Sequence, residues 1–236
     1  MSRPDARRSV ESYRYLAARY DASCRRVMPI REKAVALLHL QPGDVVVDVA
    51  SGTGLSFPLL MEAIGPTGHL IAIEHSPEMM ALARRRTEAA GWRNATLIEA
   101  PVEAADVPIP FDAVLFHFTH DVLQSPPALT RLLRHAKPGA RVAVAGNKLA
   151  SWWLAPVNLW MIFRARHYLT TYAGLRQPWR NLLTCVPDLT VRRRLLDTGY
   201  VAQGRFRAAN ATDDDARESG IVPGAAAMQL REPDKQ

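Results

Sequence analysis

Two acidic residues flank a turn of small residues, and together they could hold a small charged ligand. The turn ASGTG, residues 50–54, follows the valine-rich segment 45–49, and Asp48 stands near the end of that segment. Consecutive valines predict a buried strand, and glycines let the chain turn sharply beside a ligand. Glu74 lies 20 residues after Gly54 (74 − 54). An acid at this spacing accepts hydrogen bonds from ribose hydroxyls, and Asp48 can hold an ammonium group.

The glycine spacing separates two classes of nucleoside cofactor. A dinucleotide site uses the pattern G-x-G-x-x-G, so that a pyrophosphate can sit on a helix N-terminus. Here Phe57 stands where the third glycine would be, and Pro58 follows it. An ammonium partner at Asp48 and a ribose partner at Glu74, without a pyrophosphate site, indicate S-adenosylmethionine rather than NAD.

The elements that must position these residues alternate between strands and helices. Residues 9–40 have the apolar spacing of two helices. The predicted strands are 45–49, 69–74, 95–99, 111–117 and 140–146, and the predicted helices between them are about 55–63, 77–90 and 126–137. This alternation predicts parallel βαβ units with right-handed crossovers. A closing antiparallel hairpin is predicted around Asp197.

Four segments, in this order, resemble motifs of class I S-adenosylmethionine-dependent methyltransferases: VVVDVASGTGL, IAIEHSPEMM, FDAVLFHFTHDVL and LLRHAKPGARVAVAG. The resemblance implies an α/β fold with a doubly wound, mostly parallel seven-stranded sheet, N-terminal helices and an apolar helical lid. It implies S-adenosylmethionine as the cofactor, bound between the first and fourth strands. The expected organisation is an N-terminal helical cap (1–42), a cofactor-binding core (43–148), a helical substrate lid (149–187), closing strands of the same domain (188–207) and a loosely ordered tail (208–236).

The resemblance also implies which residues meet the cofactor. In the family an acid after the third strand meets the adenine amino group, but Ala100 stands there. The main chain at 100–102 is therefore expected to read adenine, with Glu99 or Glu103 as substitutes. Tyr20 with Asp21 resembles a pair that closes over the methionine end, although Tyr20 fits a helix core equally well. The full set of predicted cofactor contacts is Tyr20, Asp48, Ala50, Gly52, Gly54, Glu74, His75, Met79 (alternatively plain core), Ala100, Pro101, Val102, His117 and Phe118.

Chemistry is expected at the same sheet edge, after the fourth and fifth strands. His120 and Asp121 are an adjacent titratable pair there, and histidine titrates near neutrality. One hypothesis is that His120 accepts a proton from the nucleophile while Asp121 orients its ring. The other is that both residues only cap the following helix. Asn147 either hydrogen-bonds the methyl acceptor or satisfies a turn.

The segment LASWWLAPVNLWMIF, residues 149–163, is apolar but shorter than the roughly 20 residues that span a bilayer. It fits a helix on a membrane surface, a core helix or a roof over the substrate. The roof is favoured, because in the family that the chain resembles, insertions around the sixth strand commonly build the acceptor site. The predicted acceptor contacts are Trp152, Trp153, Tyr168 and Tyr172.

Composition limits the classes of partner. The 236 residues carry a formal charge of +7, but the arginines lie in short dispersed runs, which are typical of solvated faces rather than a nucleic-acid site. Cys24 and Cys185 are far apart, so neither a disulfide framework nor a metal site is indicated. The N-terminal residues lack the apolar run of a secretory signal, so a cytoplasmic location is expected. A small-molecule acceptor is the expected partner, with no nucleic acid, no transmembrane segment and peripheral membrane contact left open.

The predicted function is methyl transfer from S-adenosylmethionine to a small hydrophobic or aromatic metabolite. Two rival functions share the fold. An enzyme acting on the cofactor itself, by cyclisation or lysis, would release methylthioadenosine and would need a closed aromatic pocket. A non-catalytic scaffold would bind the cofactor or a membrane surface without turnover. Release of methylthioadenosine from the cofactor alone distinguishes the first rival from methyl transfer.

Overall fold

The structure is a computed structural model that describes residues 21, 24, 27–165, 171–194 and 197–207. The helices are α1 (Met28–Ala36), α2 (Phe57–Ile64), α3 (Pro77–Ala89), α4 (His120–Leu123), α5 (Pro126–Leu133) and α6 (Ala155–Ala165), with short 3-10 helices at Trp152–Leu154 and Arg180–Thr184. The strands are β1 (Val45–Val49), β2 (His69–Glu74), β3 (Ala95–Glu99), β4 (Phe111–His117), β5 (Ala136–Asn147), β6 (Thr190–Arg194) and β7 (Gly199–Arg205).

The seven strands form one sheet in the order β3-β2-β1-β4-β5-β7-β6. The pairs from β3 through β5 are parallel, and β7 runs antiparallel to both β5 and β6. The strand order reverses between β1 and β4, and in open α/β sheets ligands bind at the carboxyl edge beside such a point. The predicted doubly wound, mostly parallel seven-stranded fold is confirmed.

Alternating residues of the strands feed two separate apolar cores, as the period of two requires. On one face, Val46, Leu70 and Leu115 pack with α1, α2 and α3. On the other face, Val47 and Val114 pack with α4, α5 and the 3-10 helix at Arg180–Thr184. Because helices cover both faces, the central strands are apolar along nearly their whole length. Asp48 is the exception in β1, and it points to the face that carries α1 and α2.

The boundary between the fifth helix and the fifth strand differs from the prediction. Helix α5 ends at Leu133 rather than at 137, and β5 already begins at Ala136. The residue before a proline disfavours helical backbone, so Lys137 cannot extend the helix into Pro138. The extra residues are absorbed by a register irregularity opposite Phe111–Ala113 of β4.

Among the described helices, none combines the length and the apolar content needed to cross a bilayer.

Candidate cofactor and acceptor site

The turn after β1 is held in shape from the neighbouring strand. The N–H of Ser51 donates to the carbonyl of Ile73 at 3.0 Å, and the N–H of Gly52 donates to Oε2 of Glu74 at 2.9 Å. Gly54 has φ +76°, and a Cβ there would lie 2.6 Å from the ring of Phe57. Ala50 adopts φ 50°, a left-handed conformation that is unfavourable for a residue with a Cβ. The turn therefore keeps a strained, close-packed shape at the carboxyl edge of β1.

Glu74 is buried at the end of β2, and both of its carboxylate oxygens are anchored. Oε1 accepts from the N–H of Ser76 at 2.7 Å, while Oε2 accepts from Gly52. Burial raises the pKa of Glu74, and these N–H donors oppose that shift. Each oxygen keeps a second lone pair, so the two anchors leave a carboxylate aligned to accept two further hydroxyl groups.

Asp48 shares a buried polar pocket with an arginine that the sequence reasoning did not single out. Arg31 of α1 is only 5% exposed, and its guanidinium donates to the hydroxyl of Ser56. Burial raises the pKa of Asp48 to about 7, although the nearby charge of Arg31 and the hydroxyl of Ser56 lower it. The spacing of Arg31, Ala34 and Leu38 places Arg31 on the buried face of α1. This spacing is the sequence signal that could have revealed it.

The end of β4 brings His117 and Phe118 to the same edge. Their rings meet edge to face with centroids 4.7 Å apart. Phe118 has φ 58°, and its N–H donates to the carbonyl of Ala145 on β5 at 2.7 Å. The pKa of His117 is well below its usual value because the ring is buried, and Arg31 lowers it further. His117 is therefore a neutral ring beside the β1 turn.

His120 lies at the start of α4 and bonds a distant segment rather than the helix. Its Nε2 is 2.9 Å from the carbonyl oxygen of Ala173. A carbonyl can only accept, so Nε2 carries the proton and Nδ1 keeps a lone pair. Burial lowers the pKa of His120, and the charge of Asp121 and the bond to Ala173 oppose that shift. These contacts do not support the hypothesis that the His120 side chain caps α4, because its ring bonds to Ala173, which lies outside the helix.

The buried polar atoms that lack a hydrogen-bond partner concentrate at this edge of the described structure. Buried polar groups in proteins are nearly always hydrogen-bonded, so a cluster of exceptions marks a place where a polar ligand fits. The cluster comprises Nε of Arg31, Oδ2 of Asp48, Oγ of Ser51, both ring nitrogens of His117, Oγ1 of Thr119 and Nδ1 of His120. It runs from the β1 turn to the end of β4, the interval predicted to hold the cofactor.

The predicted adenine side is more restricted than the sequence suggested. The N–H of Ala100 already donates to the carbonyl of Glu74 at 3.0 Å, and Pro101 has no N–H. Val102 is buried and supplies the next main-chain donor. The predicted substitute acids are engaged elsewhere, because Glu99 pairs with Arg84 and Glu103 accepts from Ser125.

Two further predicted contacts border this side of the site. Met79 is buried in the first turn of α3, where its N–H donates to Oγ of Ser76 at 3.3 Å, and His75 is half-buried beside it. Their contact with adenine stays a prediction.

The N-terminal segment reaches the glycine turn through Asp21. Its two carboxylate oxygens accept from Oγ1 of Thr53 and from Nη2 of Arg86, both at 2.6 Å. Arg86 also donates to the carbonyl of Thr53 at 2.7 Å. Tyr20, the predicted partner of Asp21, lies outside the described residues. The network nevertheless ties the chain beside Tyr20 to the turn.

The start of the segment predicted to form the substrate lid is anchored by a buried ion pair that sequence reasoning missed. Nζ of Lys148, which is 5% exposed, lies 2.8 Å from Oδ1 of Asp197, whose Oδ2 accepts from the N–H of Ser151 at 2.9 Å. Asn147 is half-buried at the end of β5, immediately before this pair. The sequence signal for this ion pair is Lys148 directly after an apolar strand. A lysine buried at such a position needs an acidic partner.

The predicted acceptor residues differ in placement. Trp152 and Trp153 are mainly exposed, and Tyr172 is exposed to a lesser extent. Tyr168 lies outside the described residues. Contact of these residues with an acceptor stays a prediction.

The fold and this edge are those of a nucleoside-cofactor-binding α/β protein, and comparisons with known proteins show which family it is similar to. The methyltransferase domain family matches residues 46–139. A demethylmenaquinone methyltransferase of Symbiobacterium thermophilum is 33% identical over 111 residues, 45% of this chain and 44% of that protein. A protein-L-isoaspartate O-methyltransferase of Methanothrix thermoacetophila is 39% identical over 62 residues, 26% of this chain and 30% of that protein. The matched part thus spans less than half the length of these relatives.

Among solved structures, the N-methyltransferase NodS of Bradyrhizobium japonicum in complex with S-adenosyl-L-homocysteine superposes with a TM-score of 0.55. It is 13% identical, and the match covers 75% of this chain and 86% of that one. Over residues 46–139 the chain is therefore similar to S-adenosylmethionine-dependent methyltransferases, and this similarity supports S-adenosylmethionine as the cofactor.

Proposed function

We propose that the protein transfers the methyl group of S-adenosylmethionine to a small hydrophobic or aromatic acceptor. The observation that carries the proposal is the row of unpartnered buried polar atoms between the β1 turn and the end of β4. This row borders an anchored acid, Glu74, at one end and a histidine with a free lone pair, His120, at the other. A cofactor-binding part and a proton-accepting part therefore share one sheet edge.

The residues present fit the cofactor, each through its own chemistry. Glu74 suits a ribose diol, because both of its oxygens are already aligned by N–H donors. Asp48 and Arg31 share one buried pocket, where an acid and a base suit the ammonium and carboxylate groups of an amino acid. The close-packed turn at Gly52 and Gly54 lets the main chain approach the ligand.

The adenine ring is proposed to lie between Met79 and the main chain of residues 100–102. The N–H of Val102 is the proposed hydrogen-bond donor to the ring.

The remaining chemistry requires alignment and removal of a proton. When bound, the cofactor supplies an electrophilic methyl group whose bonding electrons return to sulfur as the acceptor attacks. The acceptor's proton is taken by Nδ1 of His120, because Nε2 is held protonated by the carbonyl of Ala173. The charge of Asp121 stabilises the resulting imidazolium. Asn147 is proposed to hydrogen-bond the acceptor from the adjacent strand end.

The acceptor class is inferred from the lid. We propose that residues 149–187 act as the substrate lid of the 43–148 core, with residues 1–42 closing over the cofactor. The buried side chains of this segment, among them Ala150, Met161 and Leu175, are mostly apolar, which favours a hydrophobic acceptor. The demethylmenaquinone methyltransferases among the relatives act, by name, on demethylmenaquinone, a small molecule, whereas the isoaspartate enzymes act, by name, on protein L-isoaspartate. The hydrophobic composition of the lid favours the first type.

The test is incubation of the full chain with methyl-labelled cofactor and three acceptors separately: a hydrophobic phenol or quinol, an isoaspartyl peptide, and none. We expect label in the hydrophobic product and S-adenosylhomocysteine in equal amount. Label only in the peptide would contradict the acceptor class. Methylthioadenosine formed without an acceptor would instead support the rival reaction on the cofactor itself.

The role of His120 is tested by His120→Gln, which keeps a donor for the Ala173 carbonyl but removes the base. We expect kcat to fall roughly 100-fold with unchanged binding of S-adenosylhomocysteine. Because burial lowers the pKa of His120, the acid limb of the kcat profile of the parent should lie below pH 6.5. His69→Gln is the matched control, since that ring bonds Thr96 at the opposite edge of the sheet. A parent-like kcat in His120→Gln would show that His120 only holds the lid.

A further inference from the structure

The outward face of the lid helix is more apolar than its inward face. Eight large hydrophobic residues are exposed in the described structure, and five of them fall between residues 152 and 163. Trp152 is 80% exposed, Leu159 70% and Trp153 66%, and the set is completed by Trp160 and Phe163. We call these five residues the aromatic face. Exposed apolar clusters of this kind mark surfaces that bind a partner.

The helix is oriented this way by specific contacts on its other side. Asn158 accepts from the N–H of Ala150 at 2.7 Å and donates to the carbonyl of Ala150 at 3.1 Å. Met161, one turn further on, is buried. Positions 154, 158 and 161 therefore face inward, while positions 152, 156, 159 and 163 face outward. The exposure of the aromatic face is thus a consequence of the packing of the helix.

A basic strand lies beside the aromatic face. Arg192, Arg193 and Arg194 end the edge strand β6, and Arg194 pairs with Gly199 next to the end of β5. Nε of Arg193 is 3.6 Å from Oδ1 of Asp197, whose other oxygen accepts from Ser151, the residue before Trp152. The Arg193 side chain is 71% exposed. One carboxylate therefore connects Arg193 to the start of the aromatic face.

Tryptophan, leucine and phenylalanine beside arginines are the side chains that settle at a membrane–water interface. Tryptophan prefers the headgroup level, and basic residues next to it are attracted by anionic lipids. The formal charge of +7 adds a long-range attraction of the same sign. A second protein surface would have to supply both apolar area and negative charge, whereas an anionic bilayer presents the two together.

We propose that the aromatic face and residues 192–194 form a docking surface for an anionic lipid bilayer. The surface lies at the carboxyl edge of the sheet, the edge that carries the candidate cofactor site. Docking would place this edge against the membrane without inserting a spanning segment. The proposal does not depend on the identity of the acceptor or on turnover.

The test is flotation of the full chain with vesicles of phosphatidylcholine alone or mixed equally with phosphatidylserine. We expect at least roughly tenfold stronger binding to the mixed vesicles, weakened by salt. The double variant Trp152→Ser/Trp153→Ser should bind the mixed vesicles roughly tenfold or more weakly. Arg192→Glu/Arg193→Glu should reduce binding to the level of phosphatidylcholine alone.

Two controls match these changes elsewhere on the molecule. Arg84→Glu/Arg85→Glu makes the same charge change on α3, and Ile109→Ser removes an exposed apolar side chain before β4. Both should bind within about twofold of the parent, and unchanged unfolding midpoints would show that all variants fold.

Three outcomes would overturn the proposal: no vesicle binding by the parent, equal loss in the α3 charge variant, or unchanged binding in the tryptophan variant. A dimer in light scattering that the tryptophan variant dissociates would assign the face to a second copy of the chain instead.

Discussion

The two ends of the carboxyl edge are built differently. At the cofactor end, polar groups are buried and fixed by main-chain donors, as Glu74 is by Gly52 and Ser76. At the other end, where the acceptor is proposed to bind, large apolar groups face outward, and an ion pair between Lys148 and Asp197 anchors the segment that follows β5. The first arrangement selects one ligand through geometry. The outward-facing apolar side chains form a broad surface, and few contacts fix its shape.

The difference indicates where specificity is fixed and where it can change. Replacing Glu74 at the cofactor end leaves the buried N–H donors of Gly52 and Ser76 without a partner, which is costly. Replacing an exposed residue of the lid leaves nothing buried and unpaired. We therefore expect stability and cofactor binding to depend on the cofactor end, and acceptor choice to depend on the lid.

The largest effect is expected from the buried acid of β1. Burial raises the pKa of Asp48 to about 7, against 3.8 for an ordinary aspartate, so the folded protein holds a proton that the unfolded chain has lost. The stability from this protonation is complete below about pH 4 and is lost as pH rises towards 7. The three-unit difference corresponds to at most about 4 kcal/mol. Asp48→Asn should therefore stabilise the cofactor-free protein above pH 7 and change little near pH 4.

Free energies of unfolding measured by urea titration at pH 4 and pH 8 check this prediction. Asp112→Asn is the control of opposite sign, because hydrogen bonding to Lys137 lowers the pKa of Asp112 in spite of partial burial. Its contribution is lost only as pH falls below about 4, so Asp112→Asn should show the same dependence between pH 4 and pH 8 as the parent. A pH dependence equal in parent and Asp48→Asn would contradict the assignment.

The next effect concerns cofactor binding at the end of β2. Glu74→Ala removes a charged acceptor from two N–H donors and from the proposed ribose contact. Each charge-assisted bond contributes roughly 1.5–3 kcal/mol, so binding of S-adenosylhomocysteine should weaken by about 100-fold or more. Calorimetric titration measures this. Glu99→Ala is the matched control, because Glu99 sits opposite Glu74 in β3 but is exposed. Equal losses in both variants would contradict the specific role of Glu74.

A smaller effect is expected at the root of the lid. Lys148→Met leaves Asp197 without its buried cation and should lower the free energy of unfolding by about 2 kcal/mol. Lys137→Met removes an exposed ion pair with Asp112 and should cost less than about 1 kcal/mol. The vesicle binding of Lys148→Met should also weaken, because the aromatic face loses its anchor. If Lys148→Met and Lys137→Met cost the same, the lid is not held by this pair.

The comparison also explains what the sequence could predict. The positions of β1 to β4, Asp48 and Glu74 follow from short-range patterns, because valine runs, glycine turns and a fixed spacing act locally. Arg31 was missed since its role depends on a partner 17 residues away, Asp48 (48 − 31). The bond from His120 to Ala173 spans 53 residues and has no local signal.

The lid illustrates the same limit. Its composition predicted an apolar helix correctly, but which side faces solvent is decided by Asn158 and Ala150, a contact that only the folded chain brings together.

The smallest effect tests whether the cofactor turn stores strain. Ala50 holds φ 50°, which costs a residue with a Cβ about 1 kcal/mol, and Ala50→Gly removes that cost while adding flexibility to the unfolded chain. The two terms are similar, so the free energy of unfolding should rise by less than about 1 kcal/mol. Ala90→Gly is the control, because Ala90 has φ −85° and gains no relief, so that variant should be destabilised. Urea titration measures both variants. If Ala50→Gly lost as much stability as Ala90→Gly, the turn would be free of backbone strain. The tight geometry of the turn would then depend only on its hydrogen bonds to β2.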